Sequence, residues 1–237
     1  MIPKNIHYCW FGRGKKPRLA KKCIASWKKY CPDYKIIEWN EDNFDVSQYP
    51  YAQYCLVNRK FAFLSDFVRL LVVNQYGGLY FDTDVELIRQ PDDCLQYDAF
   101  FGFENDEFIN TGHGFGAIAE HPTITAMLQP YFEMQPNEHG DFRLIGCPTL
   151  NTEALVSLGL KTNGRRQSVA GAQILPADYM NPYDDPTGRM HQTENTFSIH
   201  WYSKSALSKR QILRSKLTRP LHRLFGKDFF RKRRSKI

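Results

Sequence analysis

At 237 residues the chain is long enough to bury one sizeable α/β core, and no apolar run approaches the roughly 20 residues that a bilayer-spanning helix needs. Its six cysteines (Cys9, Cys23, Cys31, Cys55, Cys94, Cys147) include no Cys-x-x-Cys pair; that spacing supports neither a zinc site nor a disulfide framework and leads us to expect reduced thiols in the cytosol. The net charge of +7 is uneven: residues 204–237 hold 13 of the 32 Lys/Arg against one acid, Asp228, a charge of +12, so residues 1–203 carry 19 bases against 24 acids and stand at −5.

Met1-Ile2-Pro3-Lys4-Asn5-Ile6-His7 lacks the apolar core of a signal peptide, so the chain is expected to enter a first strand, Ile6 to Trp10, directly. A glycine-containing loop, Phe11-Gly12-Arg13-Gly14, follows. Pro17 to Tyr30 has Leu19, Cys23, Ile24 and Trp27 at helical spacing, and Lys35 to Trp39 reads as a second strand. From about Val57 to Tyr76, Phe61, Leu64, Val68, Leu71 and Val72 predict one long amphipathic helix, stopped by Gly77-Gly78. A strand over Leu79–Asp82, another over Ala99–Phe103, a helix over Thr123–Phe132 begun by Pro122 and Thr123, and a short strand over Ser198–Trp201 complete the list, with residues 134–195 read as loops containing short elements. The alternation through the first half predicts a mainly parallel α/β sheet.

The triplet Asp82-Thr83-Asp84 ends the apolar run Gly78-Leu79-Tyr80-Phe81. Side chains at i and i+2 of an extended chain share a face, so two carboxylates would be displayed side by side where the strand leaves the core. Like charges so placed are costly unless a cation lies between them, and Mg²⁺ or Mn²⁺ with a bound phosphate fits that need; a solvated acidic turn is the plain alternative. Upstream, Asp66 and Arg69 are three apart on one helix face, as a surface ion pair or as groups aimed at the carboxyl end of the sheet, where open α/β sheets bind ligands.

The combination Ile2-Pro3-Lys4-Asn5-Ile6-His7-Tyr8-Cys9-Trp10-Phe11-Gly12, then Ser65-Asp66-x-x-Arg69, then Gly77-Gly78-Leu79-Tyr80-x-Asp82-Thr83-Asp84 resembles the DXD sugar-binding glycosyltransferases. These include bacterial capsule and lipopolysaccharide transferases and yeast mannosyltransferases, with glucosylating toxins as more distant relatives. The resemblance covers roughly residues 1–120 and again 198–203. It implies a GT-A-type, Rossmann-like fold over residues 1–203, a nucleotide-sugar donor and a divalent cation, Mn²⁺ or Mg²⁺. It implies that Asp84 ligates the metal, that Asp82 contacts the donor ribose or sugar and assists the metal, that Asp66 and Arg69 hold the donor sugar and its phosphate region, and that Trp10 stacks on the base. A flat indole suits that last role, although a buried strand-end residue would look the same. Ser198-Ile199-His200-Trp201-Tyr202-Ser203 resembles the family's late His-Trp segment, making His200 the candidate further ligand, with Ser203 second and a structural histidine the alternative. Asn110, in Asn110-Thr111-Gly112, stands where the family has an Asn or Asp near the reacting carbon. Gly146-Cys147-Pro148-Thr149-Leu150 resembles the family's Gly-Pro segment that helps shape the acceptor side, with Cys147 as a departure from it.

The implied activity is metal-dependent, retaining transfer of a hexose to a glycan or lipid-linked glycan in capsule, lipopolysaccharide or exopolysaccharide synthesis. UDP-galactose, UDP-glucose and UDP-N-acetylgalactosamine are the expected donors ahead of GDP-mannose. In the tail, residues 204–237, Leu213, Leu217, Leu221, Leu224 and Phe225 recur at helical spacing among Lys/Arg, interrupted by Pro220. That pattern fits an anionic membrane surface and a peripheral location on the inner face of the plasma membrane better than nucleic acid; a solvated tail is the plain alternative. Two rival readings are a haloacid-dehalogenase-like phosphatase, which also uses a strand-end Asp-x-Asp, and a non-catalytic basic adaptor working through the tail.

Overall fold

A computed structural model describes residues 1–203 and 209–225. Its elements in chain order are β1 (Asn5–Cys9), α1 (Arg18–Tyr30), β2 (Lys35–Trp39), α2 (Pro50–Val57), α3 (Phe61–Tyr76), β3 (Gly78–Tyr80), β4 (Val85–Leu87), β5 (Ala99–Gly102), β6 (Phe115–Ala117), α4 (Pro122–Glu133), α5 (Cys147–Ser157), β7 (Gln167–Val169), β8 (Ala172–Leu175), β9 (Tyr183–Asp184), β10 (Arg189–Met190), β11 (Ser198–His200) and α6 (Lys209–Phe225).

A seven-stranded sheet runs β2-β1-β3-β6-β5-β8-β7. The pairs β1–β2, β1–β3 and β5–β8 are parallel, while β6 is antiparallel to β3 and β5, and β7 to β8. Five of the seven strands thus run in one direction, as the alternation predicts, with β6 and β7 reversed. Side chains alternate across it. Tyr80, Phe101 and Phe115 join α2, α3, α4 and α5 in one apolar layer, whereas Leu79, Phe81 and Phe100 join Cys23 and Trp27 of α1 in the other. A separate pair, β4–β11, is antiparallel and sets His200 opposite Val85.

Four sequence expectations are corrected. The helix placed over Val57–Tyr76 is two helices, because Asn58 ends α2 and Arg59 takes a left-handed φ of 56° before α3 begins at Phe61. The cap of α4 is His121, whose ring accepts from the Thr123 N–H. Residues 134–195 supply α5 and two strands of the central sheet, β7 and β8. The strand before the triplet stops at Tyr80, so Asp82-Thr83-Asp84 occupies the turn between β3 and β4 rather than extended chain. The expected shared face of the two carboxylates is therefore absent; each points to different partners.

Candidate active site

The site assembles at the carboxyl edge of the parallel strands. Ile6 lies opposite Leu79 and His7 opposite Tyr80, so β1 and β3 leave the sheet at the same edge, delivering Trp10 and Asp82 there. The turn from α3 into β3 is compact: Gly77 and Gly78 have φ of 62° and 117°, and a Cβ on Gly78 would sit 2.9 Å from the Asn5 carbonyl oxygen. Only glycine fits that geometry without strain.

Arg69 is the hub. It is 2% exposed, and its Nη2 lies 2.9 Å from Asp66 Oδ1, 2.9 Å from Asp82 Oδ1 and 3.2 Å from Asp82 Oδ2. Its Nη1 donates to Thr111 Oγ1 at 3.4 Å, and the guanidinium lies 5.0 Å from the centre of the Tyr80 ring. Tyr80 also donates its hydroxyl to Asp82 Oδ1 at 2.9 Å. Asp66 and Arg69 are therefore a buried pair, which excludes the surface ion pair considered from sequence. Burial raises the Asp66 carboxyl above its ordinary pKa even against the Arg69 charge. Burial likewise pushes Asp82 up to about 6, opposed by Arg69 and assisted by the nearby Asp84 charge.

Asp84 faces the other way. The β4–β11 register brings His200 Nε2 to 3.3 Å from Asp84 Oδ1, and the Ser203 N–H donates to Oδ2 at 2.7 Å. Burial alone would raise Asp84; the His200 charge and the hydrogen bonds from His200 and Ser203 outweigh it and hold the carboxyl well below the usual carboxylate range. The reciprocal effect raises His200, where Asp84 outweighs the burial that would lower it. The two carboxyls thus shift in opposite directions although each has a basic partner: burial prevails at Asp82, and His200 with the Ser203 N–H prevails at Asp84.

Among the described residues, no three His, Cys, Asp or Glu side chains converge to hold a metal ion. Two do approach one another: Asp84 Oδ1 and His200 Nε2 are separated by roughly the spacing of neighbouring ligands around one small cation. His200 Nδ1 is buried without a partner. An oxygen plus an imidazole nitrogen suits Mn²⁺ or Mg²⁺ if a bound diphosphate completes the shell, and in that arrangement Asp82 stays with Arg69.

Asn110 is buried and its Oδ1 accepts from the Gly112 N–H at 2.7 Å, so it caps the short turn Thr111–His113 beside Asp82. Gly112 is packed against the site: a Cβ there would meet Asp82 Oδ2 at 2.7 Å. Trp10 is half-buried, donates from Nε1 to the Gly14 carbonyl at 2.7 Å, and lines a groove of about 270 Å³ with Arg13, Lys16, Glu38 and Asp42. Ser203 engages Asp84 through its backbone N–H.

Sequence reasoning assigned no contact to two contributors. The first turn of α5 meets the site through Cys147: its N–H donates to Asp66 Oδ2 at 3.3 Å, and its Sγ donates to Asn110 Oδ1 at 3.5 Å. Pro148 beside Gly146, followed by Leu150, Ala154 and Leu155, is the helix-start signal that could have found it. His113, fully buried with neither ring nitrogen partnered, has its ring 6.3 Å from that of His200, and burial lowers its pKa far below the ordinary value. No local pattern marks it.

Residues 17–101, which include both Asp66-x-x-Arg69 and the triplet, match the model of the family described as glycosyltransferase sugar-binding region containing DXD motif. The likeness to that family lies in this segment. Inositol phosphoceramide mannosyltransferase 3 of Schizosaccharomyces pombe is 32% identical over 108 residues, 42% of this chain and 29% of the relative. Mannosyl phosphorylinositol ceramide synthase SUR1 of Saccharomyces cerevisiae is 30% identical over 139 residues, 54% of this chain and 34% of the relative. The chain thus spans about a third of the length of these curated relatives. The solved PaToxG Glycosyltransferase superposes with a TM-score of 0.52 at 20% identity, covering 66% of this chain and 69% of that one, and it shares the GT-A glycosyltransferase fold.

Proposed function

We propose that the protein is a metal-dependent glycosyltransferase that moves a hexose from a nucleoside-diphosphate sugar to a glycan or lipid-borne acceptor. The observation that carries the reading is the divided carboxylate pair: Asp82 held by Arg69, and Asp84 held ionised beside His200, one turn of chain apart at the carboxyl edge of the sheet. In this reading Asp84 and His200 hold the cation, which supplies charge neutralisation for the departing diphosphate. Arg69 and Asp66 position the sugar and phosphate, Asp82 orients the sugar, and Trp10 offers an indole face to the base. The acceptor hydroxyl oxygen bonds to the anomeric carbon, the bond from that carbon to the phosphate oxygen breaks with its electron pair leaving on the nucleoside diphosphate, and the hydroxyl proton passes to that diphosphate.

We take the transfer to be retaining, by attack on the face from which the diphosphate leaves, as the resemblance implies; among the described residues none stands out as a covalent nucleophile. Asp82, the rival phosphatase's nucleophile, has both oxygens engaged by Arg69, which counts against that alternative. UDP-hexoses remain the donors expected from sequence; the names of the yeast relatives add GDP-mannose to the candidates. Capsule, lipopolysaccharide or exopolysaccharide synthesis stays our proposed setting. For location we propose a cytoplasmic membrane surface: the six cysteines are free and buried, and α6 carries exposed Leu213, Leu217, Leu221 and Leu224 among basic residues. No helix among the described residues is long and apolar enough to cross a membrane. The rest of the proposed tail, 204–208 and 226–237, lies outside the described residues.

A release assay for UDP and GDP across a donor panel, with and without Mn²⁺, tests the activity. We expect Mn²⁺-dependent release, abolished by EDTA and reduced at least about a hundredfold in Asp84→Ala. Equal release by Asp84→Ala and the native chain, or none with any donor, sinks the proposal.

A further inference from the structure

A cavity of about 780 Å³ opens beside the site, between the segment after β5, the β9–β10 hairpin and α6. We infer that it is the acceptor site of the transferase proposed above, on which this inference rests, and that it takes the neutral, hydroxyl-rich terminal sugar of a glycan. Its inner end touches the reaction centre through one side chain. Tyr202 lines the cavity, its ring centre is 4.1 Å from that of His200, and His200 lies against Asp84. A group bound against Tyr202 is therefore one ring away from the proposed cation.

The wall is built for hydroxyl groups. Tyr202 donates to Glu104 Oε1 at 3.1 Å, and Asn181 Nδ2 donates to the Tyr202 hydroxyl at 2.7 Å and to the Glu104 carbonyl at 3.0 Å. Asn181 is 9% exposed, and its Oδ1 has no partner. Glu104, Asp106 and Asp178 add carboxylate acceptors, which suit sugar hydroxyls and repel phosphate. The arginines on the opposite wall each hold a backbone carbonyl and keep their charge. Arg223 donates to the carbonyls of Thr187 and Gly188, and Arg189 to that of Arg223. Tyr183 lines the cavity as well, its ring held by Trp201 at 5.5 Å between centres and by the Arg219 guanidinium at 5.8 Å. A phosphorylated headgroup would meet acids at the inner end; a neutral sugar meets carboxylate acceptors and two tyrosines.

Saturation-transfer NMR on the full chain without donor tests this with three probes: methyl α-mannoside, methyl β-lactoside and inositol 1-phosphate. We expect saturation of at least one methyl glycoside and none of inositol 1-phosphate. The glycoside affinity should fall about tenfold in Glu104→Gln and in the exposed-site variant Asp106→Asn, both of which should unfold at the native temperature. Preferential binding of inositol 1-phosphate, or glycoside binding indifferent to both substitutions, overturns the inference. Nucleoside diphosphate release without glycoside binding overturns it and leaves the transferase reading standing. Glycoside binding without release from any donor overturns the transferase reading and with it the acceptor role.

Discussion

Arg69 shows how one buried cation organises the donor end of the site. Its Nη2 is shared by Asp66 on its own helix and Asp82 from the following turn, both at 2.9 Å. An arginine is suited to this because its planar fork stays charged when buried and can serve several acceptors at once. Removing it leaves two carboxylates in a site that already favours their neutral forms. Arg69→Met should therefore lose about 3–5 kcal/mol of stability at pH 7 by urea unfolding. Without the guanidinium both carboxyls bind protons more readily in the folded chain, so the deficit should shrink as the pH falls from 7 to 5. A loss below about 1 kcal/mol, or a deficit that grows in acid, contradicts the role of Arg69 as the partner of both acids.

At the scale of elements, the parts legible in sequence are those whose pattern is local. The period of Leu19, Cys23, Ile24 and Trp27 marks α1, the apolar run before the triplet marks β3, and Gly77-Gly78 marks the break between α3 and that strand. The hidden parts depend on partners distant in sequence. β6 and β8 are interior strands held by a neighbour on each side, being three and four residues long with little pattern of their own. The direction of Asp84 depends on the β11 register more than 100 residues later, so spacing alone suggested a shared face that the turn does not provide. Resemblance named Asp66, Arg69 and His200; it did not name Cys147 as a contact of Asp66 or His113 as the ring beside His200. The β1–β3 junction adds a test of its own. His7 Nδ1 accepts from Trp39 Nε1 at 3.1 Å, so Nε2 must carry the proton it donates to the Gly77 carbonyl at 2.9 Å. A second proton would face the indole N–H. Burial lowers the His7 pKa accordingly, outweighing the Gly77 hydrogen bond, with Lys35 adding to the shift. The unfolded chain therefore takes up a proton near pH 6.5 that the folded chain refuses, so this contribution is complete above that pH and is lost as the pH falls. Between pH 7 and 5 the melting temperature of the native chain should drop more than that of His7→Gln; equal drops would show that His7 is not held neutral.

The whole molecule joins an acidic body to a basic helix, and the joint is specific. Arg219 Nη2 lies 2.8 Å from Asp185 Oδ1, and the guanidinium of Arg223 reaches the carbonyls of Thr187 and Gly188. At about 100° per residue, Leu213, Leu217, Leu221 and Leu224 fall within an arc of about 80°, roughly opposite Ser215, Thr218, Arg219 and His222, which are less exposed. The leucines thus face away from the body, with Arg210 and Arg214 beside them. A basic helix attached by its polar side and presenting leucines outward matches an anionic bilayer, where charge brings the helix in and apolar burial retains it. Nucleic acid would use the charge and leave the leucines idle. Flotation of the full chain with vesicles should accordingly show binding to phosphatidylglycerol-containing membranes, weak binding to phosphatidylcholine, and partial release in high salt. The triple variant Leu213→Ser, Leu217→Ser, Leu224→Ser replaces residues that are already solvent-exposed, so its melting temperature should be unchanged. Each leucine buried in the interface contributes about 1 kcal/mol or more, so the variant should bind anionic vesicles at least about tenfold more weakly. Its binding to a duplex oligonucleotide should stay as it was. Vesicle binding that survives the triple substitution would reduce the helix to a patch of charge and remove the argument for a membrane over any other polyanion.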